Sequence, residues 1–410
     1  MKKNIQRISV FILSIIFVFI FSISGNAVYY SNSLINNYSY DLENDNTFTS
    51  FVTYDLEVEE RFSSGFLYIN PEFTYNYKED EGDIDLDEAY VDLYFNNFDL
   101  RTGKQMMTWG KADGLVVTNF VNPEDLTESP VIEYEDRFKS INSIKLNYFM
   151  GNDSLEVVWI PEFEPVTIDE NLFNNQIRNI TGSSAPVLNY SEKEVETELE
   201  NSELALKYSS LGTDFDYELV AGYIWDDHPS LYIQQKPLQE PEVTLKHERL
   251  TVAGGSFSTS RDAWVIRGDG LYTSGKKYNG FDPEYEAGLV AKNNIKWMIG
   301  ADYTLDDYLL SGQLYQEVIL DYEDSIIQDE FSSKMTFMTQ RQFLRDKLDT
   351  KITFFYDFNQ ESLKAKPEIS YNYNDDFKIE AGADYMLEDG SDTISSLAND
   401  VIYVQSTYMF

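Results

Sequence analysis

The sequence predicts an all-β chain, a transmembrane antiparallel β-barrel closed around a polar lumen. Three observations carry that prediction. From about residue 47 onward apolar and polar residues alternate with period 2, as strands with one oily and one wet face require. Aromatic residues reach 15% of a chain whose mean hydropathy is −0.39, a pairing suited to aromatic girdles around a water-lined interior. Beyond the first 27 residues no apolar run approaches the ~20 residues of a membrane helix, so any later crossing must use strands.

The N-terminus carries Lys2, Lys3 and Arg7, then an apolar run from Ile8 to Ile23 and the small-residue segment Gly25-Asn26-Ala27. This reads as a secretory signal peptide over residues 1–27, with the mature chain starting at Val28. Residues 28–46, rich in Asn, Ser and Tyr, read as a flexible lead-in, and residues 47–410 as the barrel.

The clearest hairpin lies at 87–109. Ala89, Val91, Leu93 and Phe95 suit lipid, while Glu88, Tyr90, Asp92 and Tyr94 on the other face suit water. Asn96-Asn97 makes the turn, and the return strand puts Asp99, Arg101, Gly103 and Gln105 on the wet face. Similar segments of ~9 to 13 residues, the length of a tilted membrane strand, continue to Phe410. The count comes to roughly 17, and bacterial barrels have even numbers, so about 16 strands are expected, with 18 as the alternative. Long and short links alternate, the short ones facing the periplasm and the long ones outward.

The last strand ends on Tyr408 and Phe410, similar to the signature that outer-membrane barrels present to their assembly machinery. That machinery and outer-membrane lipid are the partners this implies, and three barrels could associate as a homotrimer.

The run Asp87-Glu-Ala-Tyr90 followed by Arg101-x-Gly103-x-Gln105-x-x-x-Trp109-Gly110 and Asn122-Pro123-Glu124-Asp125 resembles a family of porin-like outer-membrane barrels. That family is distantly akin to the alginate-export and phosphate-selective porins. The segments Asn201–Lys207 and Ala263–Tyr272 look like the same family. The resemblance implies an outer-membrane pore and names no solute. A phosphate pore needs a ladder of Lys or Arg, whereas the lumen candidates here are mainly acidic.

Read by itself, the motif makes physical sense. Gly103 leaves room for a close backbone or for Tyr90 across the hairpin, and Trp109 marks the membrane interface. Gly110 and Gly114 permit a sharp exit, and Asn122-Pro123-Glu124-Asp125 suggests a helix N-cap and first turn. The loop 110–139, including Lys111 and Asp113, is expected to fold inward as a constriction. Arg101 and Arg267, near Glu88, Asp92, Asp99 and Asp269, form either opposed charged rows across a pore or ion pairs between neighbouring strands.

Several classes of function are disfavoured. A net charge of −40, more acidic still once the signal peptide leaves, argues against nucleic acid and fits cation-attracting surfaces or life in salt. No cysteine is present, so no disulfide framework or thiolate chemistry is available. The acidic run 79–87 fails as a calcium loop, because loop positions six and twelve counted from Asp83 are Glu88 and Tyr94. Asp226-Asp227-His228 is the one cluster compatible with rim catalysis, and it reads as an exposed loop. No cofactor, metal or enzymatic activity is expected. The expected function is passive diffusion of small polar solutes or ions with a lean toward cations, the alternative being a closed barrel that binds or scaffolds at the surface.

Overall fold

The computed structural model describes residues 28–112, 114–127, 137–168, 174, 177, 190–234, 242–388 and 400–410. Residues 1–27, Asp113 and the middle of the 110–139 loop (128–136) lie outside that set. Twenty-one strands are formed among the described residues. They are β1 Val28–Asp41, β2 Asn46–Phe62, β3 Gly65–Asn76, β4 Glu81–Tyr94, β5 Phe98–Gln105, β6 Ile141–Met150 and β7 Asp153–Ile160. Next come β8 Tyr190–Lys193, β9 Glu203–Ser210, β10 Phe215–Trp225, β11 Ser230–Gln234, β12 Glu242–Lys246, β13 Arg249–Arg261 and β14 Trp264–Asn279. The chain ends with β15 Leu289–Leu305, β16 Tyr308–Ile319, β17 Phe331–Phe343, β18 Leu348–Asp357, β19 Ser362–Asn374, β20 Phe377–Glu388 and β21 Val401–Met409.

Eighteen of these pair antiparallel in chain order, and β1 also pairs β21, so the sheet closes on itself. The alternative of 18 strands therefore holds in place of 16, one more than the seventeen segments counted along the sequence. The missing strand is β1, placed in residues expected to be a flexible lead-in. Its outward face, with Val28, Tyr30, Leu34, Tyr38 and Tyr40, is broken by Asn32 and Asn36, and its other face carries Ser31, Ser33, Asn37 and Ser39. The two asparagines weaken its oily-and-wet beat, and the ladder to Leu56, Val52 and Val404 holds it in the sheet. Its seam closes where Asn32 and Phe410 exchange backbone hydrogen bonds of 3.2 and 3.0 Å.

The links alternate as expected. On one rim the strands are joined by tight turns such as Gly151-Asn152, Asp262-Ala263 and Asp306-Asp307, and both barrel termini lie there. The other rim carries the long links, including 106–140 and 226–248. A satellite sheet of β8, β11 and β12 belongs to this second rim. It buries Ile177, Leu231, Val243 and Leu245, and Asn279 at the end of β14 donates to the Leu231 carbonyl at 2.8 Å.

The exterior is apolar. Leu204, Leu219, Ile299, Ile352, Ile369 and Val404 are exposed around the wall. Near the short-turn rim Phe95, Phe215, Trp264, Tyr308, Phe343 and Tyr408 form an aromatic girdle. A closed barrel with this belt belongs in lipid, and it places the chain in the bacterial outer membrane.

Candidate functional site

Alternation fixes which residues face the lumen. Val158, Ala205, Val220, Leu271 and Met298 are buried, while their neighbours Leu155, Leu204, Leu219, Tyr272 and Ile299 are exposed on the outer side. Against this inner surface packs the segment that leaves β5. Met107, Trp109, Val117 and Val121 share one apolar cluster with residues of β7, β9, β10, β13, β14 and β15. A segment can touch so many strands of one curved wall only from inside the barrel.

The segment starts earlier than the sequence suggested, because β5 stops at Gln105 and Met106 already turns inward. Trp109, expected at the membrane interface, is 3% exposed and lies in the lumen. Its Nε1–H donates to Glu156 at 2.6 Å, and Lys207 stands 5.4 Å over its ring. Carboxylates on the wall hold the rest of the segment: Glu88 accepts Met106 N–H at 2.6 Å, and Asp269 accepts Lys111 N–H at 3.1 Å. Glu218 accepts the Lys111 ammonium at 3.0 Å, and Thr118 bonds Asp269 at 3.3 Å. Gly110 and Gly114 have φ of 103° and 90°, which favours glycine at both bends. A Cβ at Gly110 would also lie 2.6 Å from Thr118 and 2.9 Å from Asp269.

Asn122 joins the two ends of the excursion. Its Oδ1 accepts Met107 N–H at 3.0 Å and its Nδ2 donates to the Lys139 carbonyl at 2.7 Å, with the side chain 2% exposed. The expected helix at 122–125 does not form. Pro123 is buried and its carbonyl accepts Lys139 N–H at 2.9 Å, Glu124 bridges Phe138, and Asp125 bridges Thr167. The chain is extended here because its backbone groups pair with neighbouring segments in place of a helical turn.

The arginines resolve into strand-to-strand pairs. Arg101 grips Asp92 through two bonds of 2.7 and 2.8 Å and lies 3.7 Å over the Tyr90 ring. Gly103, with φ of 134°, faces Tyr90 in the ladder, where a Cβ would collide with the Ala89 carbonyl. Arg267 pairs with Asp302 at 2.6 Å, while Asp269, its expected partner, holds the inward segment. Gln105 is fully buried and donates to the Ser143 carbonyl at 3.2 Å. Asp99 is half-buried beside Tyr94, and Tyr94 is exposed.

Sequence reasoning missed Glu156, Glu218, Thr118 and Phe120. A signal was present, since β7, β10 and β13 carry Val158, Ile160, Val220, Ile224, Leu250 and Val252 at lumen parity, where a simple pore would be polar. Beyond the segment a cavity of about 220 Å³ opens, with Phe120 and Leu271 on its floor and Asp226, Lys276, Lys296 and Lys334 on its sides. Burial opposes the charge of Asp226, but Lys276 at 3.2 Å and His228 outweigh it and hold the carboxyl below its ordinary range. The surrounding wall, with Lys276 and Lys296, pushes the His228 imidazole down to about 4.

The profile of the family described as capsule assembly protein Wzi matches residues 22–128, a stretch that ends in the inward segment. A search of curated proteins returns no match. Among solved structures, Pseudomonas aeruginosa OccK2 (OpdF) superposes with a TM-score of 0.56 at 9% identity, over 93% of this chain and 97% of that one. Acinetobacter baumannii OccAB2 superposes with a TM-score of 0.55 at 9% identity, over 93% and 98%. The kinship with alginate-export and phosphate-selective porins suggested by the motif receives no support from these matches. What this chain shares with the Occ proteins is the fold: it is an outer-membrane β-barrel of porin-like architecture.

Proposed function

We propose that the barrel is a channel through which small polar solutes cross the outer membrane past the inward segment. The observation that carries this reading is the one-sidedness of the filling. The segment's bonds run from Glu88 to Asp269, and its apolar packing reaches Met298 and Tyr315. On the facing wall no residue of β18 is buried, the lumen-parity residues Lys351, Thr353, Phe355 and Asp357 are half-buried, and among the described residues the segment's apolar cluster takes none from β17 to β21. Water on that side gives solutes a route, and the segment narrows it. Purified full-length chain in a planar bilayer tests the reading, and the absence of discrete conductance steps overturns it.

Cation preference is part of the proposal and is modest. Lumen carboxylates such as Asp92, Asp302, Glu156 and Glu218 each have a cation within 4 Å, which leaves the overall acidity of the chain to draw cations to the mouths. A reversal potential favouring chloride in a salt gradient would refute this part alone.

A second reading has its own observation. The Wzi profile covers the first strands and part of the inward segment, and the satellite sheet of β8, β11 and β12 stands on the rim of the long links. On this reading the barrel assembles or retains surface polysaccharide. Deleting the gene would then release polysaccharide from cells, and a variant lacking the satellite sheet would do the same while its conductance stays intact.

A further inference from the structure

The outer face of the wall has a groove that the lumen does not explain. Along β17 to β20 the outward positions Thr339, Thr350, Pro367, Ala381 and Ala383 are small, while Ile352, Ile369 and Phe343 stand as ridges. Between them lies a mostly apolar depression of about 570 Å³. It begins at the short-turn rim, because Tyr308 opens β16 and Phe343 closes β17 there, and it rises toward the middle of the wall.

At its lower end sits a cation on the lipid-facing side. Arg341 shares outward parity with the exposed Met335, Phe337 and Phe343. Its guanidinium lies 4.5 Å over the Tyr308 ring and 4.6 Å over the Phe343 ring. It donates to the Tyr308 hydroxyl at 2.7 Å, and the Asp307 carboxylate in the adjoining turn is 3.6 Å away. Its Nε has no hydrogen-bond partner although it is buried. A guanidinium has five donors, and the Tyr308 hydroxyl and Asp307 engage only part of them, so donors remain for an anion at headgroup depth.

We propose that this groove is a binding site for an anionic phospholipid of the periplasmic leaflet, its phosphate on Arg341 and one acyl chain in the apolar channel above. The charge and the shape select the same molecule. Planar guanidinium matches a phosphodiester, and the stacked Tyr308 and Phe343 rings hold it at headgroup depth. The small outward residues leave a straight slot where a Leu or Phe would lie flush with the wall. The proposal concerns the outer surface and is independent of whether the lumen conducts.

The test is lipid retention by the purified full-length barrel, read by native mass spectrometry after exchange into mixed micelles of phosphatidylglycerol and phosphatidylcholine with identical chains. The expected result is preferential retention of phosphatidylglycerol. Arg341→Gln weakens that preference about fivefold, the size of one basic residue at an anionic membrane surface, and Arg341→Lys keeps part of it. Ala381→Phe, which fills the slot and leaves the charge, lowers retention of both lipids. Equal retention of the two lipids by the native chain, or an Arg341→Gln variant with the native preference, overturns the proposal. So does an oligomer that Ala381→Phe dissociates, since a second copy would then occupy the groove. Where Arg341→Gln yields no folded barrel, the Lys and Ala381 variants still decide.

Discussion

Asn122→Ala should release the inward segment from the barrel without opening the barrel itself. The side chain makes two buried bonds, to Met107 N–H at 3.0 Å and the Lys139 carbonyl at 2.7 Å, at the two ends of the excursion. Removing it leaves a donor and an acceptor unsatisfied in a region where Met107 is 1% exposed. At ~1 to 3 kcal/mol for each stranded group, the closed arrangement loses about 2 to 6 kcal/mol. The eighteen wall strands keep their ladder, so this loss raises the population of local opening and spares global stability. The chain has no cysteine, so Val117→Cys supplies a clean reporter: Val117 lies on the segment itself and is 5% exposed where it packs against the wall. Maleimide labelling of Cys at 117 should accelerate at least about 30-fold when Asn122→Ala is added, the lower end of that range converted to a population. Labelling at the parental rate, with the barrel folded, refutes the idea that Asn122 closes the segment.

Other perturbations probe different joints. Arg101→Leu strands Asp92, which is 7% exposed, and should lower resistance to guanidinium by about 3 kcal/mol. Adding Asp92→Leu should recover most of that loss, and no recovery would show that the pair is not the cause. Gly222→Val places a side chain 2.6 Å from the Phe120 ring and 3.0 Å from Val252, so it should overpack by ~1 to 3 kcal/mol and speed labelling at position 117. Of the two histidines, His228 should titrate near 4 and stay neutral through physiological pH. Because its pKa in the folded chain is depressed below 6.5, its contribution to stability is full above 6.5 and is lost as pH falls toward 4. A ring resonance that titrates near 6.5 and disappears in His228→Gln would contradict this.

The wall was legible where lipid and water impose opposite demands on alternate residues, as at 87–95, and illegible where they do not. β1 escaped because Asn32 and Asn36 interrupt its apolar face, and its membership depends on partners that lie 378 residues apart at the Asn32 and Phe410 seam. The sharp exit from the strand was legible from Gly110 and Gly114, where the chain takes φ of 103° and 90°. The anchors of the inward segment were not, because a carboxylate at lumen parity reads the same whether it meets solute or backbone. Trp109 was misplaced for a related reason. A tryptophan after a strand fits a membrane interface as well as it fits an indole bonded to Glu156, and the choice depends on where β5 ends.

That ambiguity bears on selectivity. An acidic lumen suggests a cation filter only if its carboxylates are available to ions. Glu88, Glu156, Glu218 and Asp269 instead accept hydrogen bonds from the inward segment, and Asp92 and Asp302 are bridged by arginines. A carboxylate bridged by a lysine or arginine has its charge offset, and one turned toward a buried N–H offers a passing cation only its remaining lone pairs. The acidity of the wall is thus first a means of fastening the inward segment, through its N–H groups and Lys111, inside a wet tube. Neutralising Glu218 with Gln should therefore loosen the segment and raise conductance before it alters ion preference. A shift in reversal potential with unchanged conductance would place Glu218 in the ion path and reverse that order.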